Sequence, residues 1–249
     1  MIALVRSELL KIRTTRGWYA YLVVIVLLAG ISVAAAIGST DDSRRGDLDF
    51  QVDFIEAAGF AALLALILGI TAVTTEFRHG TITPTLLAEP VRERVLAAKA
   101  FAVTLVSLLF DVIALAVIAA VALIWLSILG ADIHLASGDV GKLAAQTLLG
   151  AVLWGLMGVA VGALVQSQVA ALVGTLIWIF VAESLLWGLF ALLDVDGAVS
   201  YLPFQSLDGA DGTGGEDLLS YGPAVAVASG WIVLIGAAGT LRTRRRDIT

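Results

Sequence analysis

Two carboxylic acids, Asp111 and Glu183, stand inside stretches that are otherwise apolar. An acid at the centre of a bilayer costs about 3 kcal/mol on insertion scales, so it faces a bundle interior, a wet cavity or a partner. Such residues can line a substrate path, carry protons or bind across a protein interface, and they serve equally well as hydrogen-bonding glue between helices. Few other reactive groups accompany them. His79 and His134 lie in different loops, no His-Glu-x-x-His or Gly-x-Ser-x-Gly turn occurs, and cysteine is absent. Those gaps argue against zinc-protease, nucleophile-elbow and thiolate chemistry. A nucleotide-binding Walker loop needs Gly-x4-Gly-Lys-[Ser/Thr] so that backbone N–H groups cradle phosphates. Here Gly141-Lys142 is followed by Leu143 and lacks the earlier glycine. The expectation is a chain without enzyme activity and without a cofactor or metal of its own.

The elements that must position these acids are membrane spans. The 249 residues are 59% hydrophobic and 14% charged, whereas a soluble chain carries about 25% charge. Six apolar runs reach the roughly 20 residues that a span needs: 17–38, 54–75, 100–127, 143–165, 169–193 and 222–241. The first exceeds the 7 to 15 apolar residues typical of a signal peptide, so it reads as a span. Twelve of the 15 Lys and Arg residues fall before the first run, in the second loop and after the last run. Arg16 and Arg246 are among them. That asymmetry places both termini in the cytoplasm.

The stretch 194–221 holds Asp194, Asp196, Asp208, Asp211, Glu216 and Asp217 without a basic residue, and is expected outside as a solvated acidic loop. Asp194, Asp196 and Gly197 lack the full ligand pattern of a calcium loop. No repeat or linker divides the chain, which is expected to be one all-α integral membrane domain over residues 1–249. Gly30, Ala34 and Gly38 in the first run, and Gly158 and Gly162 in the fourth, would let helix backbones approach closely. The tail residues Arg242, Arg244, Arg245 and Arg246 read as a stop signal facing anionic lipid, not as a nucleic-acid site.

Two segments are expected on the membrane surface. Ile2, Val5, Leu9 and Ile12 recur at helical spacing beside Arg6 and Arg13; this reads as an interfacial helix or as an ordinary basic flank. In the second loop, residues 76–99, Gly80 and Pro84 are expected to break the helix leaving span two. Thr83 or Thr85 would cap a short helix through Leu86 and Leu87, and Pro90 suits the first turn of the next helix. About 24 residues is long for a featureless connection in a compact bundle.

That loop resembles the permease subunits of type-2 ATP-binding-cassette exporters. The resemblance rests on Glu76, Arg78, Gly80, Thr81, Leu86, Leu87, Pro90, Arg92 and Lys99. It extends to the basic N-terminal helix, the six-span layout, the Gln166-Ser167-Gln168 turn and Tyr201-Leu202-Pro203. Val91 departs from the Ser that often precedes the Arg. The resemblance implies six transmembrane helices with a cytoplasmic coupling helix between spans two and three, docked on a separate nucleotide-binding subunit. It further implies two permeases, the second a copy or a related chain, and two ATPase subunits that hold ATP and Mg. The expected setting is the bacterial cytoplasmic membrane, and the expected cargo a drug, an antibiotic peptide or a lipid-like compound. Membrane lipids are the remaining expected partner. The alternative is a proton-coupled secondary transporter using Asp111 and Glu183, against which the elaborate second loop stands.

Overall fold

A chain in hydrocarbon must satisfy every backbone N–H and C=O internally, so long apolar runs fold as helices. The computed structural model describes residues 1–245 other than Arg16, Gly214, Glu216 and Asp217. The expected roles of Arg16, Glu216, Asp217 and Arg246, and of the Asp196 and Arg245 side chains, lie outside the described residues. Helix α1 (Ile2–Thr14) precedes α2 (Gly17–Ser39), and α3 (Leu48–Glu56) leads across a break at Ala57 and Ala58 into α4 (Gly59–His79). A short α5 (Ile82–Ala88) joins α4 to the 38-residue α6 (Arg92–Leu129). Then come α7 (Gly138–Val165), α8 (Gln168–Ile177), a π-helical turn (Trp178–Ala182), α9 (Glu183–Leu192), α10 (Pro203–Asp211) and α11 (Tyr221–Arg245). The described residues contain no strand. Among the described residues six stretches are long and apolar enough to cross a membrane: Gly17–Ser39, Leu48–His79, Arg92–Leu129, Gly138–Val165, Gln168–Leu192 and Tyr221–Arg244. Each contains most of one expected run. Helix α6 starts earlier than expected; at 1.5 Å per residue it reaches about 57 Å, well beyond the roughly 30 Å of hydrocarbon.

Helices α4 and α7 form the centre of the bundle, with more than half of their apolar windows buried against about a fifth in the other spans. Glycine makes that contact possible. A Cβ on Gly69 would lie 2.2 Å from the Gly155 carbonyl oxygen, and one on Gly158 the same distance from that of Leu66. Gly162 lies against Ile70 and Val73 in the same seam. The glycines of α2 behave differently: Gly30 and Gly38 meet nothing within 4 Å. Helix α2 packs instead through Ile25, Ala29, Val33 and Ile37, a four-residue stripe that clusters with Phe110, Ala114, Ile118, Ala122 and Leu126 of α6.

Between α9 and α11 the expected solvated acidic loop is overturned over residues 203–211, while Asp194 is exposed. Residues 203–211 fold as α10, whose Phe204, Leu207 and Ala210 cluster with Leu66, Trp154, Ala224 and Ala228. Asp211 is itself only 3% exposed. The cause is a three-residue apolar repeat lying among the acids: one helical turn carries each apolar side chain onto the face that meets α7 and α11, and Pro203 at the helix start fixes its entry.

Candidate functional site

Four charged side chains converge from three helices at the end of the bundle that carries α1 and α5. Lys99 of α6 lies 2.7 Å from Glu8 of α1 and 2.8 Å from Glu76 of α4. Lys11, one turn beyond Glu8, closes the set at 2.6 Å from Glu8 and 2.7 Å from Glu76. Lys99 also donates to the Ala72 carbonyl. Glu8, Glu76 and Lys99 are all buried, and two carboxylates against two ammonium groups leave the set neutral. Burial works against the charged form of Lys11, but its hydrogen bonds to Glu76 and Glu8 outweigh that and hold its pKa above the ordinary lysine value. One carboxylate oxygen, Glu76 Oε2, lacks a hydrogen-bond partner among the described residues. The arrangement pins α1 to the start of α6 and the end of α4.

Immediately beyond Glu76 the chain turns. Gly80 ends α4 in the left-handed region at φ 68°, where glycine alone pays no side-chain penalty. Helix α5 starts at Ile82 with Thr81 as its N-terminal flank, so neither Thr83 nor Thr85 caps it. Thr85 Oγ1 instead donates to the Thr81 carbonyl. Pro84 does not break the helix as expected, because it occupies the first turn, where its missing N–H has no partner to lose. Pro90 likewise falls before α6, whose flanking residue is Val91.

Of the nine residues singled out in this loop, Arg78, Gly80, Thr81, Leu87 and Pro90 are exposed, and Arg92 is half-buried. Glu76, Leu86 and Lys99 are buried within the chain. Leu87 stands out, at 73% exposed.

The last helix and the α7–α8 turn brace the same region. Arg78 donates to the Gln168 side chain at 3.1 Å, and Gln166 to Thr243 Oγ1 at 3.1 Å. Arg92 donates to the Thr243 carbonyl, Arg244 pairs with Glu93, and Arg242 donates to the Leu164 carbonyl. Arg242 and Arg244, both exposed, therefore also have partners within the chain. Sequence reasoning missed Glu8, Lys11 and Thr243. A signal existed for the first two: Glu8 and Lys11 are three residues apart, the spacing at which an acid and a base meet on one helix face.

At the opposite end acids gather with no ion pair among the described residues. Glu183 follows the π-helical turn, a distortion that recurs at functional positions. It accepts from Trp178 Nε1 at 2.9 Å and from the backbone N–H groups of Phe204 at 3.0 Å and Gln205 at 3.2 Å. It thus satisfies the otherwise unpaired amides that open α10. Asp111 accepts from Thr147 Oγ1 of α7 at 3.1 Å. No hydrogen bond joins Asp111 to Glu183 among the described residues; each ties its own helix to a neighbour within this chain.

Asp211 accepts from the Thr213 N–H at 2.9 Å and hydroxyl at 2.6 Å. Its backbone is pressed on Gly150 of α7, where a Cβ would come within 2.1 Å of Asp211 Cβ. Burial, with Asp211 and Glu183 adding negative charge nearby, pushes Asp208 up to about 7. Burial likewise pushes Asp211 up to about 6, against the hydrogen bonds from Thr213. The described residues hold no cluster of three or more His, Asp or Glu able to grip a metal ion.

Residues 42–249 match the model of a family described as a protein of unknown function (DUF2705). No curated protein matches the chain.

Proposed function

The chain belongs to the DUF2705 family, whose function is unknown, and we propose that it is the transmembrane subunit of an ATP-driven ABC exporter. The observation that carries this reading is α5. A seven-residue helix set between two spans presents Leu87 outward while Leu86 anchors it inward. Its two ends connect to helices clamped by the Glu8, Lys11, Glu76 and Lys99 set. Such an element suits force transmission, because a push on α5 moves α4 and α6 together. Helix α4 has the most contact with α7 at the bundle centre, so the push is delivered to the core.

In this reading both termini and α5 face the cytoplasm of a bacterium, in keeping with the excess of Lys and Arg on those segments. Two partner ATPase subunits bind ATP and Mg and close against α5. A second permease, a copy or a relative, completes the pathway. The cargo is a drug, an antibiotic peptide or a lipid-like compound. The test is affinity purification of the chain from its native membrane in mild detergent, with mass spectrometry and an ATPase assay of the eluate. The expected result is a co-purifying Walker-type ATPase with vanadate-sensitive activity, lost on Gly80→Pro because proline cannot adopt φ 68°. Recovery of this chain alone, with transport driven by a proton gradient and lost on Asp111→Asn, would replace this reading with a proton-coupled carrier.

A further inference from the structure

Helix α1 has one edge turned into the protein and another that stays largely open, although Leu9 and Ile12 also pack on the core beside α2 and α6. Glu8 and Lys11 turn inward to the ion set. The first turns of the apolar arc, with Met1 and Arg6, form one wall of a groove of about 520 Å³ against α6. Ile2, Val5 and Leu9 line it from α1, Ala97 and Phe101 from α6, and Arg6 stands in the same wall. Ile2 is 87% and Phe101 55% exposed. No acidic residue lines the groove, and the Arg6 guanidinium has no ion pair or hydrogen bond with any described residue.

From this geometry we propose that the groove between α1 and α6 binds one anionic phospholipid, its acyl chain along Val5, Leu9 and Phe101 and its phosphate on Arg6. Three considerations fix the occupant. The groove opens on α6, a candidate span whose apolar window is mostly unburied, so bilayer lipid is the apolar material that meets it. A guanidinium matches phosphate oxygens by paired N–H donors, and a charged lipid head neutralises a cation that the described residues leave unpaired. The ion set fixes α1 against α6, so the groove is formed before its ligand arrives. This proposal rests on the membrane setting and is independent of any ATPase partner.

The full chain, purified in detergent and delipidated, is titrated with phosphatidylglycerol and separately with phosphatidylcholine, and native mass spectrometry reads the Kd of the first bound lipid. Phosphatidylglycerol is expected to bind more tightly. Arg6→Gln is expected to weaken it about fivefold, the equivalent of about 1 kcal/mol for one basic residue at the membrane surface, with phosphatidylcholine unchanged. Arg13→Gln, on the same helix but outside the groove, should have a smaller effect. Ala97→Trp, which fills the groove, should remove the first bound lipid of either kind. Equal losses for Arg6→Gln and Arg13→Gln would reduce the effect to general surface charge and overturn the site. Unchanged binding in Ala97→Trp would overturn it as well. A changed oligomeric state of Ala97→Trp on size exclusion would assign the groove to a second copy of the chain.

Discussion

The two ends of the bundle bury acids by opposite means. At the end with α1 and α5, Glu8 and Glu76 face two lysines, and the charges cancel across three helices. At the other end Glu183, Asp208 and Asp211 have no ion pair among the described residues, and Glu183 and Asp211 rely on a helix N-terminus, an indole N–H and the Thr213 donors. An ion set is stable over the whole range in which carboxylates are charged and lysines protonated. Asp208 and Asp211, without such a partner, keep a raised proton affinity instead. One end is therefore a rigid clamp, and the other a region whose packing responds to pH near neutrality.

The largest expected effect comes from removing the central cation. Lys99→Met leaves Glu8 and Glu76 sharing only the half-exposed Lys11, and breaking a buried pair in this way costs about 3–5 kcal/mol. Thermal unfolding of the purified chain in detergent measures the loss. At the opposite end, Gly150→Ala forces α10 off α7, since the new methyl group would overlap Asp211. Overpacking of this kind costs about 1–3 kcal/mol, and faster hydrogen exchange across residues 203–211 with little change in α1 localises it.

The pH response comes next. Asp208 and Asp211 have folded pKa values above the ordinary 3.8, at about 7 and about 6. The folded state therefore holds more protons than the unfolded state between about pH 4 and 7, and stability falls as pH rises through that window. Hydrogen exchange of 203–211 should quicken from pH 5 to pH 8 after correction for intrinsic rates, while that of α1 stays level. Lys11, whose pKa is raised above 10.5, contributes stability that is lost only when pH climbs past that range. The smallest effect is that of Lys11→Ala. Its side chain is 42% exposed and Lys99 still bridges both glutamates, so the cost is about 1 kcal/mol or less in the same unfolding measurement.

Several features were legible in the residues alone, and the reasons differ. The six spans could be read because hydropathy is a local property and hydrocarbon admits few backbone conformations. Gly158 and Gly162 pack closely as their spacing suggests, yet the same spacing in Gly30 and Gly38 meets nothing within 4 Å among the described residues. Spacing reports what a helix face can accept, while contact depends on which helix arrives. Helix α10 was hidden because its acids outweigh an apolar stripe of only Phe204, Leu207 and Ala210. Glu76 and Lys99 were picked out, but as loop residues rather than as the buried core of a clamp.

What the sequence by itself determined is the local inventory: six apolar helices, the break at Gly80, the short helix after it and two acids in apolar surroundings. Each follows from neighbours within a few turns, through side-chain hydropathy and backbone sterics. Only the tertiary structure decided which charges meet. Glu8 reaches Lys99 across 91 residues and Glu183 caps a helix 21 residues on. Such pairings follow from the crossing of helices, which the close packing of glycine backbones in α4 and α7 sets, and no local pattern encodes them.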